Sequence, residues 1–378
     1  MFKKSETDDR RVRIIDVTHM FYKYANGGMP SLSASILVDG QYRQVDTTLP
    51  SGVIKAIHRW SRQGYNPTVV CFDSKGCSRS RKMYFSQHKD RPEQKAEYKG
   101  KRDVQDSRFY EGINLTMNLL TSGGVTVLKA DGYEADDLIK AAVDKAKIDY
   151  PNLPIDVITG DADLIPLVDD QVSVYIASRK LTWAESSNLE ITHYFQLRPY
   201  NYQEYCEGLT AFKSLTVPYN TVLLTKLLRG DKSDNIDGYP KFTPTKYKKL
   251  IQQMQEDNVD MADLFRYDAP IKTYVYRGTD EPIPLSLLDE TPKEKKAIKY
   301  LEPPKLTQIC NVLSKYLDED IVSHACFVYN GINLNGAFVD VPDNFKRRPA
   351  TITSPIKGYV SGELVRAVSI VQINLPIG

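Results

Sequence analysis

Nine acidic side chains stand where a fold could gather them. Asp16 closes VRIID, Asp73 closes PTVVCFD, Glu134, Asp136 and Asp137 crowd the stretch DGYEADDLI, Asp161 and Asp163 follow IDVITG, and Asp231 and Asp234 lie in LLRGDKSDN. Each acid alone has a plain structural use, because aspartate caps helices and shapes Asp-Gly turns. Three acids in four residues at a helix start exceed what the helix dipole can use. Brought together, so much like charge in a low dielectric cannot ionise unless cations neutralise it. A donor set of carboxylates without histidine or cysteine suits hard cations such as Mg²⁺ or Mn²⁺ rather than zinc. Two such ions roughly 3.5–4 Å apart would serve hydrolysis of a phosphodiester.

The elements that must position these acids can be read from periodicity. VRIID, PTVVCFD, VTVL, PIDVITGDADL and VSVYIA read as strands. SGVIKAIHRW, INLTMNLL and the run after Glu134 read as helices; in the last, Ala135, Leu138, Ile139, Ala142, Val143 and Ala146 recur at helical spacing. Alternating strands and helices predict an α/β fold with a mostly parallel central sheet and helices on both faces. In such sheets the functional crevice lies outside the carboxyl ends of the strands, which is where Asp16, Asp73, Asp161 and Asp163 fall. TVLLTKLLRGDKSDN adds an apolar helix followed by Asp231 and Asp234. Beyond about residue 255 the pattern weakens; KEKKAIKYL and KLTQICNVLSKYL look helical, and the chain from Pro342 is irregular up to an apolar LVRAVSIVQI.

The chain has 378 residues and a net charge of only +2, so an acidic partner must be held by local patches. One such patch spans residues 75–108. Its eleven basic residues, among them Lys75, Arg81, Lys82, Lys99, Lys101 and Arg102, face five acids, a local balance of +6 directly after Asp73. A basic strip beside metal ions points to a polyanionic substrate. The five cysteines are scattered, with no Cys-x-x-Cys pair, so neither a zinc site nor a disulfide framework is expected and a reducing compartment fits. The start MFKKSETDDRR has no apolar run of the signal-peptide kind, and no run reaches membrane-spanning length.

These stretches together resemble the 5′ nuclease or flap endonuclease superfamily, which includes phage 5′–3′ exonucleases and the 5′-nuclease domain of bacterial DNA polymerase I. IIDVTHMFYKY is similar to the family's first-strand motif, and FDSKG, SRSRKMYF and EYKGKR to its helical arch. GYEADDLI, TGDADLIPLV and LLRGDKSDNIDGYP are similar to its acidic hallmarks. The resemblance runs from about Val12 to Lys249. It implies a PIN-like nuclease core over residues 1–230 with an arch insertion at about 74–110 and a helix–hairpin–helix-type DNA-binding element at 231–256. The C-terminal region at 257–378 carries no readable motif and is expected to be mostly helical, then irregular, and packed on the core. It assigns Asp16, Asp73, Glu134 and Asp136 to a first metal and Asp137, Asp161, Asp163 and Asp234 to a second, with Asp231 further out and reaching metal through water. Lys99 and Arg102 would contact the scissile phosphate, Tyr98 would stack on a base, and Arg81 and Lys82 would line the arch's basic entrance.

The implied activity is a two-metal 5′–3′ exonuclease and flap endonuclease, with Mg²⁺ as cofactor and Mn²⁺ as its substitute. It would act on branched or nicked DNA, and the family extends to RNA primers in RNA–DNA hybrids and RNase H activity. A monomer in the cytoplasm (the host cytoplasm for a phage-encoded chain), with no membrane contact and with a C-terminal region open to a replication partner, completes the expectation. One motif departs from the family. Where it reads roughly Gly-x-x-Gly-x-Gly, GYPKFT keeps Gly238 but places Lys241 and Thr243 at the later positions. Side-chain charge from Lys241 and Lys246 is therefore expected to grip duplex DNA in place of a backbone cradle and its potassium site. Two rivals remain in view. Haloacid-dehalogenase phosphatases require an acid two residues after the first-strand aspartate, where this chain has Thr18. A non-catalytic nucleic-acid-binding scaffold on the same fold would usually have lost some of the acids.

Overall fold

The computed structural model describes residues 10–25, 33–38, 41–60, 66–74, 76–87, 97–100, 107–130, 132–180, 195–212, 215–240, 242–267, 272–276, 296–300 and 304–332. They divide between two compact units, the first drawn from segments 1–77 and 102–203, the second from 78–101 and 204–339. The expectations for Arg102, Lys241 and the tail from Pro342 fall outside the described residues.

The first unit is built on a six-stranded sheet. β1 (Val12–Asp16) is followed by α1 (Val17–Ala25), the hairpin β2 (Ser33–Val38) and β3 (Gln41–Asp46), α2 (Thr48–Trp60) and β4 (Thr68–Cys71). After the chain returns come α4 (Ser107–Ser122), β5 (Thr126–Leu128), α5 (Ala135–Asp149), β6 (Ile155–Thr159), β7 (Val172–Lys180) and β8 (Phe195–Tyr200). The strand order is β5-β4-β1-β6-β7-β8. All pairs are parallel except β7 with β8, an antiparallel edge. The chain lays strands to one side of β1 and then crosses to the other, so the topological switch lies between β1 and β6, the position at which such sheets bind ligands. β1 and β6 are apolar for most of their length, as strands covered on both faces must be. Ile15, Val70 and Ile158 pack with Phe21, Val53, Ile54, Ile57, Phe109 and Leu120 of α1, α2 and α4. Reversing the direction of strand addition while keeping right-handed crossovers carries α5 to the opposite face, where it packs on β1, β4 and β6.

The second unit begins with α3 (Arg79–Gln87) and the turn 97–100. It resumes at Glu204, within α6 (Tyr202–Glu207), and continues with the hairpin β9 (Leu209–Phe212) and β10 (Leu215–Pro218), α7 (Val222–Arg229), a two-residue pairing of β11 (Gly230–Asp231) with β12 (Ile236–Asp237), α8 (Pro244–Glu256) and α9 (Met261–Leu264). The hairpin β13 (Lys272–Tyr276) and β14 (Lys296–Tyr300) and helices α10 (Pro304–Leu313) and α11 (Glu319–Ile332) complete it. This division places α7 with the hairpin that follows it, ahead of the boundary expected at residue 230. One core joins Phe85 and Tyr98 to Leu224, Leu228, Tyr247, Met254, Phe265 and Phe327.

Two expectations need correction. Within KEKKAIKYL the described residues Lys296–Tyr300 are a strand, not a helix: they pair antiparallel with Lys272–Tyr276, and the β-favouring partner KTYVY decides the conformation. Cysteine usage predicts no disulfide, yet Cys310 of α10 is bonded to Cys326 of α11, helices that pack against each other and bring the two Cα atoms within 6.6 Å.

Candidate metal centre

In the first unit the acids collect at the carboxyl edge of the parallel sheet. Asp16 is the last residue of β1 and is 4% exposed. Its Oδ1 accepts the backbone N–H of His19 at 2.9 Å, so it also caps the helix that starts one residue later. Its Oδ2 accepts the hydroxyl of Thr159 at 2.9 Å, directly across the switch point from the end of β6. The same Thr159 oxygen accepts the N–H of Asp161 at 3.0 Å. One hydroxyl thus sets the spacing between the acid that ends β1 and the acid that follows β6. Asp161 in turn caps the 3₁₀ helix Ala162–Leu167, its Oδ1 accepting the N–H of Asp163 at 2.9 Å.

The other side of the edge is tied in the same way. The N–H of Asp73 donates to Thr18 Oγ1 at 2.8 Å, and its Oδ1 accepts the N–H of Ala135 at 2.7 Å, joining the end of β4 to the first residue of α5. Ser74 reinforces this link, donating its hydroxyl to the carbonyl of Tyr133 and accepting the N–H of Gly132. Glu134 is the N-cap of α5, and Asp137 Oδ2 accepts its N–H at 3.1 Å. That bond is the plain use of one acid in the crowded triad. Glu134 and Asp137 are 3% and 2% exposed, while Asp73, Asp136, Asp161 and Asp163 are half-buried.

The electrostatics follow from this packing. Burial, aided by the neighbouring charges of Asp73 and Asp161 and opposed by the bonds from His19 and Thr159, pushes the Asp16 carboxyl up to about 7. Cys71 beneath them is raised by burial and by Asp16 and Asp136. The acids of β1, β4, α5 and the β6 edge therefore feel one another's charge. An all-carboxylate donor set held at fixed spacing fits hard divalent cations. Thr18, Ser74 and Thr159, which orient the acids, carry no signal of their own in the sequence beyond adjacency to them.

The other described candidates lie in the second unit. Asp231 is 6% exposed and pairs with Lys226 at 3.1 Å, while Ser233 donates both its N–H and its hydroxyl to Asp231 Oδ1. Asp234 Oδ2 accepts the hydroxyl of Tyr98 at 3.2 Å. The expectation of a base-stacking face at Tyr98 meets a different placement. Tyr98 is 2% exposed and stacked on Phe85, with centroids 5.4 Å apart, because an aromatic ring next to an apolar cluster is worth more buried. Arg81, expected at an open entrance, is also buried; it lies one helical turn before Phe85 and shares its inward face. Lys82 beside it is exposed, 3.5 Å from Glu97. Lys99 lies in the turn 97–100 with φ +54°, its ammonium 5.1 Å from the centroid of the Tyr98 ring. Lys246 is exposed on α8. Thr243 does not fill the hairpin: its hydroxyl caps α8 by accepting the N–H of Lys246 at 3.3 Å, and Pro244 follows as the first helical residue.

Residues 11–193 match the family described as 5′–3′ exonuclease, N-terminal resolvase-like domain. That match covers just under half of the chain. The 5′–3′ exonuclease of Mycoplasma pneumoniae is 26% identical over 236 residues, covering 57% of this chain and 70% of that one. DNA polymerase I of Treponema pallidum is 31% identical over 154 residues, 41% of this chain but 13% of the polymerase. The matched stretch thus corresponds to a small part of the polymerase it resembles. Among solved structures, the T5 D15 protein co-crystallised with metal ions aligns with a TM-score of 0.45 at 14% identity, covering 97% of this chain and 100% of that one.

Proposed function

We propose that this protein is a metal-dependent, structure-selective 5′ nuclease that hydrolyses phosphodiesters near the 5′ ends of branched or nicked DNA. The observation that carries this reading is the gathering of seven carboxylates, from Asp16, Asp73, Glu134, Asp136, Asp137, Asp161 and Asp163, at one edge of a parallel sheet within the residues that match the 5′–3′ exonuclease family. Two Mg²⁺ ions, with Mn²⁺ as substitute, are the proposed cofactors. The seven acids would hold them, with Asp231 and Asp234 added on the strength of their motif. Such ions, when bound, supply Lewis acidity toward the phosphodiester and toward the water that attacks it.

The chain's own groups do the rest. Thr159 and Thr18 fix where the acids of β1, β4 and β6 stand. Lys99 and Arg102 would neutralise charge growing on the phosphate, a contribution that is largest in a preorganised site. Lys82 and Lys246, exposed on helices, together with Lys241, would hold backbone phosphates by charge alone. RNA–DNA hybrids and RNase H activity, a replication protein bound at residues 257–378, a monomeric state and a cytoplasmic location belong to the same proposal. Cleavage of a labelled 5′-flap substrate with Mg²⁺, and its loss with EDTA, tests the reading. No cleavage of flap, nick, gap or RNA–DNA substrates in Mg²⁺ or Mn²⁺, with DNA still bound, would favour the non-catalytic scaffold.

A further inference from the structure

The turn that carries Lys99 is fastened to the hairpin between α7 and α8 at three points, all inside the second unit. The Lys99 N–H donates to the carbonyl of Asp234 at 2.8 Å. The Tyr98 hydroxyl donates to the carboxylate of the same Asp234 at 3.2 Å. The side-chain amide of Asn235 donates to the carbonyl of Glu97 at 3.2 Å. Lys99 and Asn235 both sit in the left-handed region, at φ +54° and +56°. That conformation is disfavoured for lysine and persists only where the surroundings impose it. Here the imposing contacts are those three bonds and the ring of Tyr98, wedged against Phe85 with the Lys99 ammonium over it.

We propose that Tyr98 and Asn235 are positioning residues: they hold Lys99 against the hairpin so that its ammonium is already oriented when a phosphate arrives. The inference rests on the proposed function only in giving Lys99 a phosphate to meet. It accounts for a tyrosine whose ring is buried and whose hydroxyl is engaged, which a base-stacking platform does not require. It also makes the hairpin responsible for the orientation of a residue more than a hundred positions earlier in the chain, since Tyr98 and Asp234 are 136 residues apart. A shift of about 1 Å in a group that stabilises a transition state can cost up to about 100-fold in rate.

The test uses the full chain. Tyr98→Phe removes the hydroxyl and keeps the ring. Asn235→Gly removes the donor and tolerates the left-handed conformation. Single-turnover cleavage of a 5′ flap in Mg²⁺ should fall by about 10- to 100-fold in each variant, with the dissociation constant for the same DNA in Ca²⁺ changed less than about twofold. Adding Lys99→Ala to either should cost little more, because residues acting through one group are not additive. Trypsin should cut after Lys99 several-fold faster in both variants, a readout independent of activity. Tyr98→Phe at the wild-type rate would overturn the proposal and return the ring to a stacking or packing role. So would full additivity with Lys99→Ala. So would a loss confined to Tyr98→Phe and matched by weaker Mn²⁺ binding, since the hydroxyl would then act through the Asp234 carboxylate. A wild-type protein that cleaves nothing would sink the proposed function instead. The trypsin arm would still decide the positioning: faster cutting in both variants supports it, and unchanged cutting overturns it.

Discussion

Asp16 sits 4% exposed at the end of β1 with its carboxyl pushed up to about 7, so in metal-free protein near neutral pH it is ionised only in part. The folded state holds its proton more tightly than the unfolded chain does. Stability from this group is therefore full below about pH 4 and falls as the pH climbs to 7 and beyond, by on the order of 4 kcal/mol at most. A bound divalent cation reverses the preference. Metal-free wild type should lose more thermal stability than Asp16→Asn between pH 5 and 8, and Mg²⁺ at pH 8 should restore the wild type far more than the variant. Equal slopes with and without the aspartate would remove Asp16 from the charged cluster. Asp161→Asn should bring cleavage to background while leaving DNA affinity unchanged or tighter, measured by binding in Ca²⁺; near wild-type turnover in Mg²⁺ would take Asp161 out of the site. Most of the acids are legible in the sequence because they follow apolar runs. The hydroxyls that space them are not, since threonine is common and the Thr159–Asp16 bond joins residues 143 apart. Tyr98 is hard to place for a related reason: aromatic residues in a basic stretch suit either a base or a core, and only the tertiary partner Phe85 decides.

Among the elements, the parallel strands are the most legible, because strands buried on both faces read as unbroken apolar runs. The hairpin β2–β3, the antiparallel edge β8 and the pair β13–β14 are not, since their partners and not their own patterns define them. The helix α8 has two faces. Tyr247, Leu250, Ile251 and Met254 form its buried stripe, and Lys246, Lys248 and Lys249 are exposed on the other side. Replacing Lys246 and Lys249 by Ala should leave the melting temperature within about a degree or two, since exposed changes of this kind are usually within ~0.5 kcal/mol. It should weaken binding to duplex-bearing DNA more than to single strands, and lower the salt slope by about one for each of these lysines that meets a phosphate. An unchanged salt slope would mark them as a solvated face only. Because Thr243 is spent on capping α8, potassium and sodium at equal ionic strength should support similar affinity for a nicked duplex; a clear potassium preference would restore the backbone cradle.

At the scale of the whole molecule, the chain leaves the first unit at residue 77, contributes 78–101 to the second, and returns. Phe85 from that excursion is 3% exposed, stacks on Tyr98 and meets Phe327 of α11 edge-on. Phe85→Ala should cost the second unit about 3–5 kcal/mol, read as faster hydrogen exchange in α11. Gly331 gives the complementary test, since a Cβ there would lie 2.4 Å from the Phe85 ring. A fragment of residues 204–339 alone should not unfold cooperatively, because it lacks Phe85 and Tyr98. The excursion also has a consequence during synthesis. The Tyr84 hydroxyl bonds to the carbonyl of Phe327, 243 residues later. At roughly 5–20 residues per second a ribosome needs about 10–50 s to make that partner. For that interval the nascent chain carries Tyr84, Phe85 and Tyr98 with no completed core to receive them, beside a dense run of lysine and arginine. Those positive charges would keep the waiting aromatics in water and hold neighbouring nascent chains apart, so the strip proposed to hold a polyanion would first protect the protein's own assembly.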